Sequence, residues 1–414
     1  MLYEHANYET FNKNGDIYCL FYEKGNQLLK NGGHLCFITS NKWMRTESGE
    51  STRKFFVTNT NPIQLIDFAG IKVFESATVD TNILLFSKAK NKGKTLCSIS
   101  KNISKDSLKD LSDFMRHKHN HIICNFSTSD SWVILNPIEQ RIKAKIESIG
   151  TPLKDWDIQI NYGIKTGCNG KPEKDEGIFI ISKKQRENIL KNCKTKEERK
   201  RTDELIRPIL RGRDIKRYSY NWAGLYLIAT FPSKNYDIEQ YPAVKQHLIS
   251  FGLKRLEQTG KKYIINGKII KARKKTNNKW FETQDSISYW DDFFKPKIVY
   301  PETTQSAYFA FDKTGLFIDK TCFMLISEYA KYLQITLSST LFEYAYKRIF
   351  SSIELGQNGY QYNKHALIKL PIKIPTETEL SRLNEINASG FNEFIFNLYN
   401  LSEEEINLIK NKKI

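Results

Sequence analysis

No apolar run in the 414-residue sequence reaches the roughly 18 to 20 residues that a membrane-spanning helix needs. The N-terminus, MLYEHANYETF, has neither the charged nor the apolar region of a secretory signal. Together these absences argue for a cytoplasmic chain with no membrane partner. The seven cysteines are odd in number, scattered and without a C-x-x-C pair, which argues for reduced thiols and against a disulfide framework or zinc site. HKHNH (117–121) alternates its histidines at poor ligand spacing and reads as an exposed loop, so no metal is expected. An acidic balance is lacking too, since 64 Lys and Arg stand against 46 Asp and Glu for a net charge of +18.

The excess is uneven. Residues 151–300 hold 32 Lys and Arg against 18 Asp and Glu, or +14, which points to a polyanion held mainly by the middle third, through the salt-sensitive phosphate contacts of nucleic-acid binding. The length and the 40 % apolar content suffice for more than one domain with a real core.

Three basic or glycine-rich stretches carry candidate contacts. RPILRGRDIKRY (207–218) sets Arg207, Arg211, Arg213 and Arg217 around a short apolar run. Their forks suit phosphate oxygens or the O6/N7 edge of guanine, and Gly212 would let the backbone approach a ligand. One of Arg211 and Arg213 is expected to meet a base edge and the other a phosphate, with Asp214 and Lys216 as scaffold. The bland alternative is a solvated basic strand or turn. NYGIKTGCNG (161–170) ends an alternating strand in a loop that gathers backbone amides with Lys165, Thr166 and Asn169; a nucleic-acid-facing loop and a bulged hairpin turn both fit it. KIIKARKKTNNKW (268–280) interleaves Lys271, Arg273, Lys274 and Lys275 with Trp280, a mixture suited to phosphate contact plus base stacking or to a solvated loop. Lys297, just beyond, joins the candidates.

Hydrophobic patterning places a helix from Asp16, as its cap, to Gly32-Gly33. Strands follow at HLCFITS (34–40), IQLIDF (63–68) and TNILLFS (81–87), with a short helix near Arg53 to Phe56. Helix, buried strand, helix and strand pair is an α/β pattern, here with too few strands for a complete doubly wound sheet. Residues 88–130 read as an irregular polar connection carrying at most short strands or helices, and Asn136-Pro137 opens a helix whose Ile138, Ile142, Ile146 and Ile149 form one stripe up to Gly150. Further on, the pattern predicts helices over 183–205, 242–260 and 328–351, several strands between 295 and 326, and capping boxes at Thr376 with Glu379 and Ser402 with Glu405.

Taken together, DIYCLFYEKGNQLLKNGGHLCFITSNKW (16–43), FAGIKVFESATVDTNILLFSK (68–88), NYGIKTGCN (161–169) and RPILRGRDIKRY (207–218) resemble the adenine-specific methyltransferases of bacterial restriction-modification systems, of the Eco57I or type IIG kind, that carry a TaqI-like target-recognition domain. The resemblance implies a partial, Rossmann-like methyltransferase domain over 1–90, a linker and helix over 91–150, a mixed α+β DNA target-recognition domain over 151–375 and a helical tail over 376–414. It implies double-stranded DNA as partner and S-adenosylmethionine as the family's cofactor. The family's glycine-containing cofactor loop and Asn-Pro-Pro-aromatic motif occur nowhere in this sequence. The base-stacking aromatic expected after SNKW is replaced by TESGEST (46–52), and Trp43 lies close enough to its strand to belong to the core. The expectation is therefore DNA recognition without cofactor binding or methyl transfer by this chain alone. Two rivals stand beside it: one half of a split methyltransferase completed by a separate polypeptide, and a non-enzymatic specificity subunit. With its leading strands missing, the sheet of residues 1–90 should expose an apolar edge and face, IQLID and ILLFS included.

Overall fold

The computed structural model describes residues 3–68, 71, 73–74, 79–99, 110–116, 121–350, 354–355 and 359–411. They divide into two compact units, the first of 1–150, 344–355 and 396–414, the second of 151–343 and 356–395. The class is mixed α/β.

The first unit runs α1 (Tyr18–Leu28), β1 (His34–Ser40), α2 (Glu50–Asn59), β2 (Asn61–Asp67), β3 (Thr81–Ser87), β4 (Thr95–Ile99), α3 (Leu111–Arg116), β5 (Ile122–Cys124) and α4 (Pro137–Ile149). Its sheet has the order β1-β3-β2-β4-β5. Ile83 of β3 faces Ile38 of β1 and Ile66 of β2, antiparallel to both, so β1 and β2 run the same way on either side of it. The stretch after Lys88 carries only short elements among the described residues, as its polar composition suggests. TLCSI and IIC are too short to show a period, yet β4 pairs parallel with β2 and β5 antiparallel with β4. Asp16 does not cap α1, whose N-cap position is Ile17 with no side-chain cap. Asn136 does open α4 before Pro137, and closes a capping box with Glu139.

An aromatic cluster fills this unit. Trp43 meets Tyr22, Phe56 and Trp132 at ring distances of 5.0 to 6.2 Å, and Phe126 stacks on Trp132 at 4.4 Å. Buried Arg53 donates to the carbonyls of Trp43 (2.6 Å), Thr46 (2.9 Å) and Ser129 (2.8 Å), fixing the turn after β1; burial draws its guanidinium down to about 10. The exposed side of the unit is β1 rather than the strands expected. IQLID and ILLFS are interior, whereas β1 pairs only with β3 among the described residues and leaves His34, Cys36 and Ile38 exposed. Phe21 and Leu28, seven residues apart on one face of α1, are exposed as well.

The second unit holds two four-stranded sheets. One has the order Ile180–Ser182, Leu225–Ile228, Ile206–Leu210, Phe317–Ile318, the other Ala310–Asp312, Lys297–Pro301, Cys322–Ile326, Gln159–Tyr162. Ile209, Leu210, Val299, Phe317, Ile318 and Met324 meet in a shared core. A Cβ on Gly163 would lie 1.8 Å from the Asp319 carbonyl oxygen, so glycine is required where these two segments cross. Three helices are interrupted where sequence periodicity runs on. Residues 183–205 form Lys183–Lys191 and Lys196–Leu205, because Thr195 caps a fresh start by accepting from the Glu198 amide. Residues 242–260 break at Gly252, whose φ of +89° leaves the helical region. Ala330–Ser338 ends where Ser339 turns extended.

Candidate nucleic-acid interface

The arginine stretch leaves its strand at Leu210 and turns at once, Gly212–Asp214 forming a single 3-10 turn. Asp214 creates that turn. Its carboxylate accepts from the backbone N–H of Arg211 (3.0 Å) and from the same residue's Nε (3.1 Å) and Nη2 (3.0 Å). Glu173 takes Arg211 Nη1 at 2.5 Å. Although burial works against the charge, Asp214 and Glu173 hold the Arg211 guanidinium above its ordinary value. Its side chain is 12 % exposed, that of Arg213 71 %. An extended strand would set these two arginines, two residues apart, on one face; the turn separates them. The room at Gly212 serves the protein itself: its N–H donates to Thr321 Oγ1 at 3.0 Å, and a Cβ there would lie 2.9 Å from that oxygen.

The other arginines of the stretch are engaged. Arg217 pairs with Glu343 and donates to Ser306 Oγ at 3.2 Å. Arg207 lies over the rings of Trp290 (5.7 Å) and Phe294 (5.5 Å), a cation–π seat. Lys216 donates to the Arg213 carbonyl at 3.0 Å and stays exposed. Around the turn opens a concavity of 690 Å³ whose lining includes Arg211, Arg213, Lys216, Thr303, Lys320 and Thr321. Lys320 escaped sequence reasoning, since it stands alone in the DKT turn between two strands, with no run of charge to mark it. The turn itself is built by Asp319, whose carboxylate accepts from the Thr321 amide at 3.0 Å and from its hydroxyl.

The glycine-rich loop is held from within. Thr166 is buried and its hydroxyl bonds Asn169 Oδ1, while the Asn169 carbonyl accepts from Ile178. Of that trio Lys165 alone is exposed.

Two candidate cations are inside the protein, which corrects their reading as DNA contacts. Arg273 donates to the carbonyls of Leu256 (2.8 Å), Thr166 (2.9 Å), Glu282 (2.7 Å) and Trp280 (2.6 Å) and lies 4.9 Å from the Phe179 ring. Burial draws it down to about 10. Lys297 is fully buried, its ammonium 2.5 Å from Asp312 and 2.6 Å from the Phe293 carbonyl. Trp280 packs partly against the core of Phe179, Ile189 and Phe281. Lys271, Lys274 and Lys275 remain exposed. The HKHNH segment lies, but for His121, outside the described residues; among those described, no group of three His, Cys, Asp or Glu could hold a metal, and no helix is long and apolar enough to cross a membrane.

Comparison with known proteins bears out the resemblance. Residues 1–74 match the Eco57I restriction-modification methylase family and residues 207–372 the TaqI-like C-terminal specificity domain. The type II restriction enzyme and methyltransferase RM.Eco57I of Escherichia coli is 27 % identical over 185 residues, 42 % of this chain and 17 % of its own length. The type II methyltransferase M.BstVI of Geobacillus stearothermophilus is 20 % identical across 97 % of this chain and 70 % of its own. Among solved structures, the type IIL restriction-modification enzyme MmeI in complex with DNA aligns over 97 % of this chain and 50 % of its own, at TM-score 0.49 and 10 % identity.

A methyltransferase family implies S-adenosylmethionine, and the cationic lining of this concavity, which lies within the specificity-domain match, does not fit its sulfonium. Arg213, Lys216 and Lys320 line the concavity with positive charge against a sulfonium. Asp67, the acid at the end of β2, is buried, accepts from Asn41 Nδ2 at 2.9 Å and lies 3.7 Å from Arg45.

Proposed function

We propose that this chain, a relative of the type II restriction-modification methyltransferases with their specificity domain, recognises duplex DNA for an adenine-N6 methyltransferase. One observation carries the reading: the concavity rimmed by Arg213, Lys216 and Lys320 lies within the residues that match a specificity domain. These three cations share the open space, with Arg211 anchored behind them. Arg213 can serve either as a phosphate contact or as a fork on a guanine edge. Lys165, Lys271, Lys274 and Lys275, exposed on the same unit, add phosphate contacts. The cytoplasm, where DNA and a reducing medium meet, suits both this partner and seven free thiols.

The test is a fluorescence titration of the full chain with duplex DNA over a range of salt, after selection of a preferred site from a random pool. If Arg213 holds phosphate, Arg213→Ala weakens every duplex alike and lowers the salt slope by about one unit. If it reads guanine, the loss is about 1 to 3 kcal/mol on the preferred site and much less elsewhere. Duplex affinity unchanged in an Arg213→Ala, Lys216→Ala, Lys320→Ala variant removes the concavity from the interface.

A second reading rests on the first unit. Phe21 and Leu28 on α1, and Ile38 on the edge strand β1, are exposed apolar groups that a separate polypeptide carrying the cofactor loop and the Asn-Pro-Pro motif would cover. Hydrogen exchange at the outward amides of β1 discriminates: fast in the chain alone and slowed by the partner supports it, whereas slow exchange in a demonstrated monomer counts against it.

A further inference from the structure

Residues 262–271 form a β-hairpin, Lys262–Ile265 against Lys268–Lys271, closed by Asn266 and Gly267 at φ +50° and +73°. Two consecutive positive φ values make the tight turn whose twist matches the strands. The register sets Lys262 opposite Lys271 and Ile264 opposite Ile269, and alternation brings all four side chains to one face. All four are exposed, Ile264 by 79 % and Ile269 by 72 %. On the opposite face Tyr263 and Ile270 are half-buried, and the Tyr263 hydroxyl donates to Glu257 at 2.6 Å. Below the hairpin, Gly260 donates to the Arg273 carbonyl at 2.8 Å and Arg273 to the Glu257 carbonyl at 2.9 Å, so the buried arginine fixes the base.

Such a face is costly in isolation. Like charges opposed across a ladder repel, and two isoleucines at a tip contribute nothing to a core. Both costs vanish against a ligand that is anionic at its rim and apolar in its floor. The major groove of DNA is that surface: it admits a two-stranded ribbon, phosphates line it, and the thymine methyl is the apolar group on its floor. The segment 261–275 carries six lysines and no acid, and four residues per strand reach about 13 Å.

We infer that this hairpin enters the major groove, Lys262 and Lys271 meeting phosphates while Ile264 and Ile269 read thymine methyl groups. The inference rests on the DNA-recognition reading and assigns it a second, base-reading element. The test compares the full chain on a mixed-sequence duplex and on the same duplex with deoxyuridine for every thymine. Wild type should bind the methyl-free duplex about threefold more weakly, and Ile264→Ser, Ile269→Ser, which removes the apolar groups from an exposed face, should bind both alike. Lys262→Gln, Lys271→Gln should lower the salt slope by about two units. Equal wild-type affinity for the two duplexes, or hairpin variants that bind as wild type, overturns the inference while leaving the concavity in place. Failure of wild type to bind any duplex at low salt removes the parent reading, and tighter binding to phosphatidylglycerol vesicles than to duplex overturns the choice of partner.

Discussion

The basic runs at 207–218 and 261–280 look interchangeable in composition, yet the fold uses them in opposite ways. In the first, three of the four arginines serve the protein: Arg207 on aromatic rings, Arg211 between two carboxylates, Arg217 on Glu343. Arg213 is left exposed. In the second, one cation, Arg273, goes inside and all seven lysines, Lys261, Lys262, Lys268, Lys271, Lys274, Lys275 and Lys279, stay out. The difference follows from the side chains. A guanidinium donates in a fixed planar fork and loses less hydration when it is buried, so it can be spread over several carbonyls; an ammonium keeps its water unless a carboxylate meets it inside, as Asp312 meets Lys297. Arginine density in a sequence thus marks places where the backbone needs holding as well as places that touch a ligand.

Removing the inward cation should give the largest effect. Arg273→Met leaves four carbonyls of Leu256, Thr166, Glu282 and Trp280 without their donor and should cost about 3 to 5 kcal/mol in urea unfolding. A loss under about 1 kcal/mol would mean that the arginine is no keystone. Lys297→Met should follow at about 3 kcal/mol, because Asp312 would remain buried without its ammonium, and Asp312→Leu in the same chain should restore only part of the loss, since it leaves the Thr314 and Leu316 amides without their acceptor. Against the upward push of burial, Lys297 and Thr314 hold the Asp312 carboxyl below its ordinary 3.8. Its stabilising share is complete above that value and disappears as pH falls through the lower folded value. Wild type should therefore lose stability in acid more steeply than the Lys297→Met, Asp312→Leu variant, which lacks this pair.

Smaller again is Arg211→Ala, expected to lower stability by about 1 to 2 kcal/mol, since Asp214 keeps the backbone amide bond but loses both side-chain bonds. Arg213→Ala should leave the unfolding midpoint in place. Equal stability losses would erase the distinction between the two residues.

Much of the fold is legible in the sequence. The periods of HLCFITS and TNILLFS match β1 and β3 residue for residue, and the helix start at Asn136 and the capping boxes at Thr376 and Ser402 rest on short-range bonds that a four-residue window displays. Trp43 lies in the core, as its nearness to the strand suggests. The sequence allows short strands between 88 and 130 but does not place those at Thr95–Ile99 and Ile122–Cys124, because β4 is set by pairing with β2, distant in the chain, and β5 by pairing with β4. The site is legible as a region but not residue by residue. Whether an arginine faces outward depends on where Asp214, Glu173 and Glu343 arrive, and two of those acids come from elsewhere in the chain. Lys297 reads as one more cation after KP, although alternation along Lys297–Pro301 gives no outward face: all five residues are buried.

The finest test of the contrast is Glu173. It takes Arg211 Nη1 at 2.5 Å and stands 3.5 Å from Arg213 Nη2, so a single carboxylate touches both the tied arginine and the exposed one. At Arg211 it is redundant, because Asp214 already accepts two side-chain bonds. At Arg213 it is the paired anion, and a phosphate would have to displace it. Glu173 is half exposed, so solvent screens the pair and its effect is small. Glu173→Gln should thus leave stability nearly unchanged and tighten duplex binding by about two- to threefold at low salt, a gain that fades as salt rises past a Debye length of about 8 Å. In an Arg213→Ala background the gain should shrink, since the anion then competes for nothing at that position. A gain of equal size in both backgrounds would assign the effect to long-range charge alone, and a weaker complex would place Glu173 itself against the DNA bases.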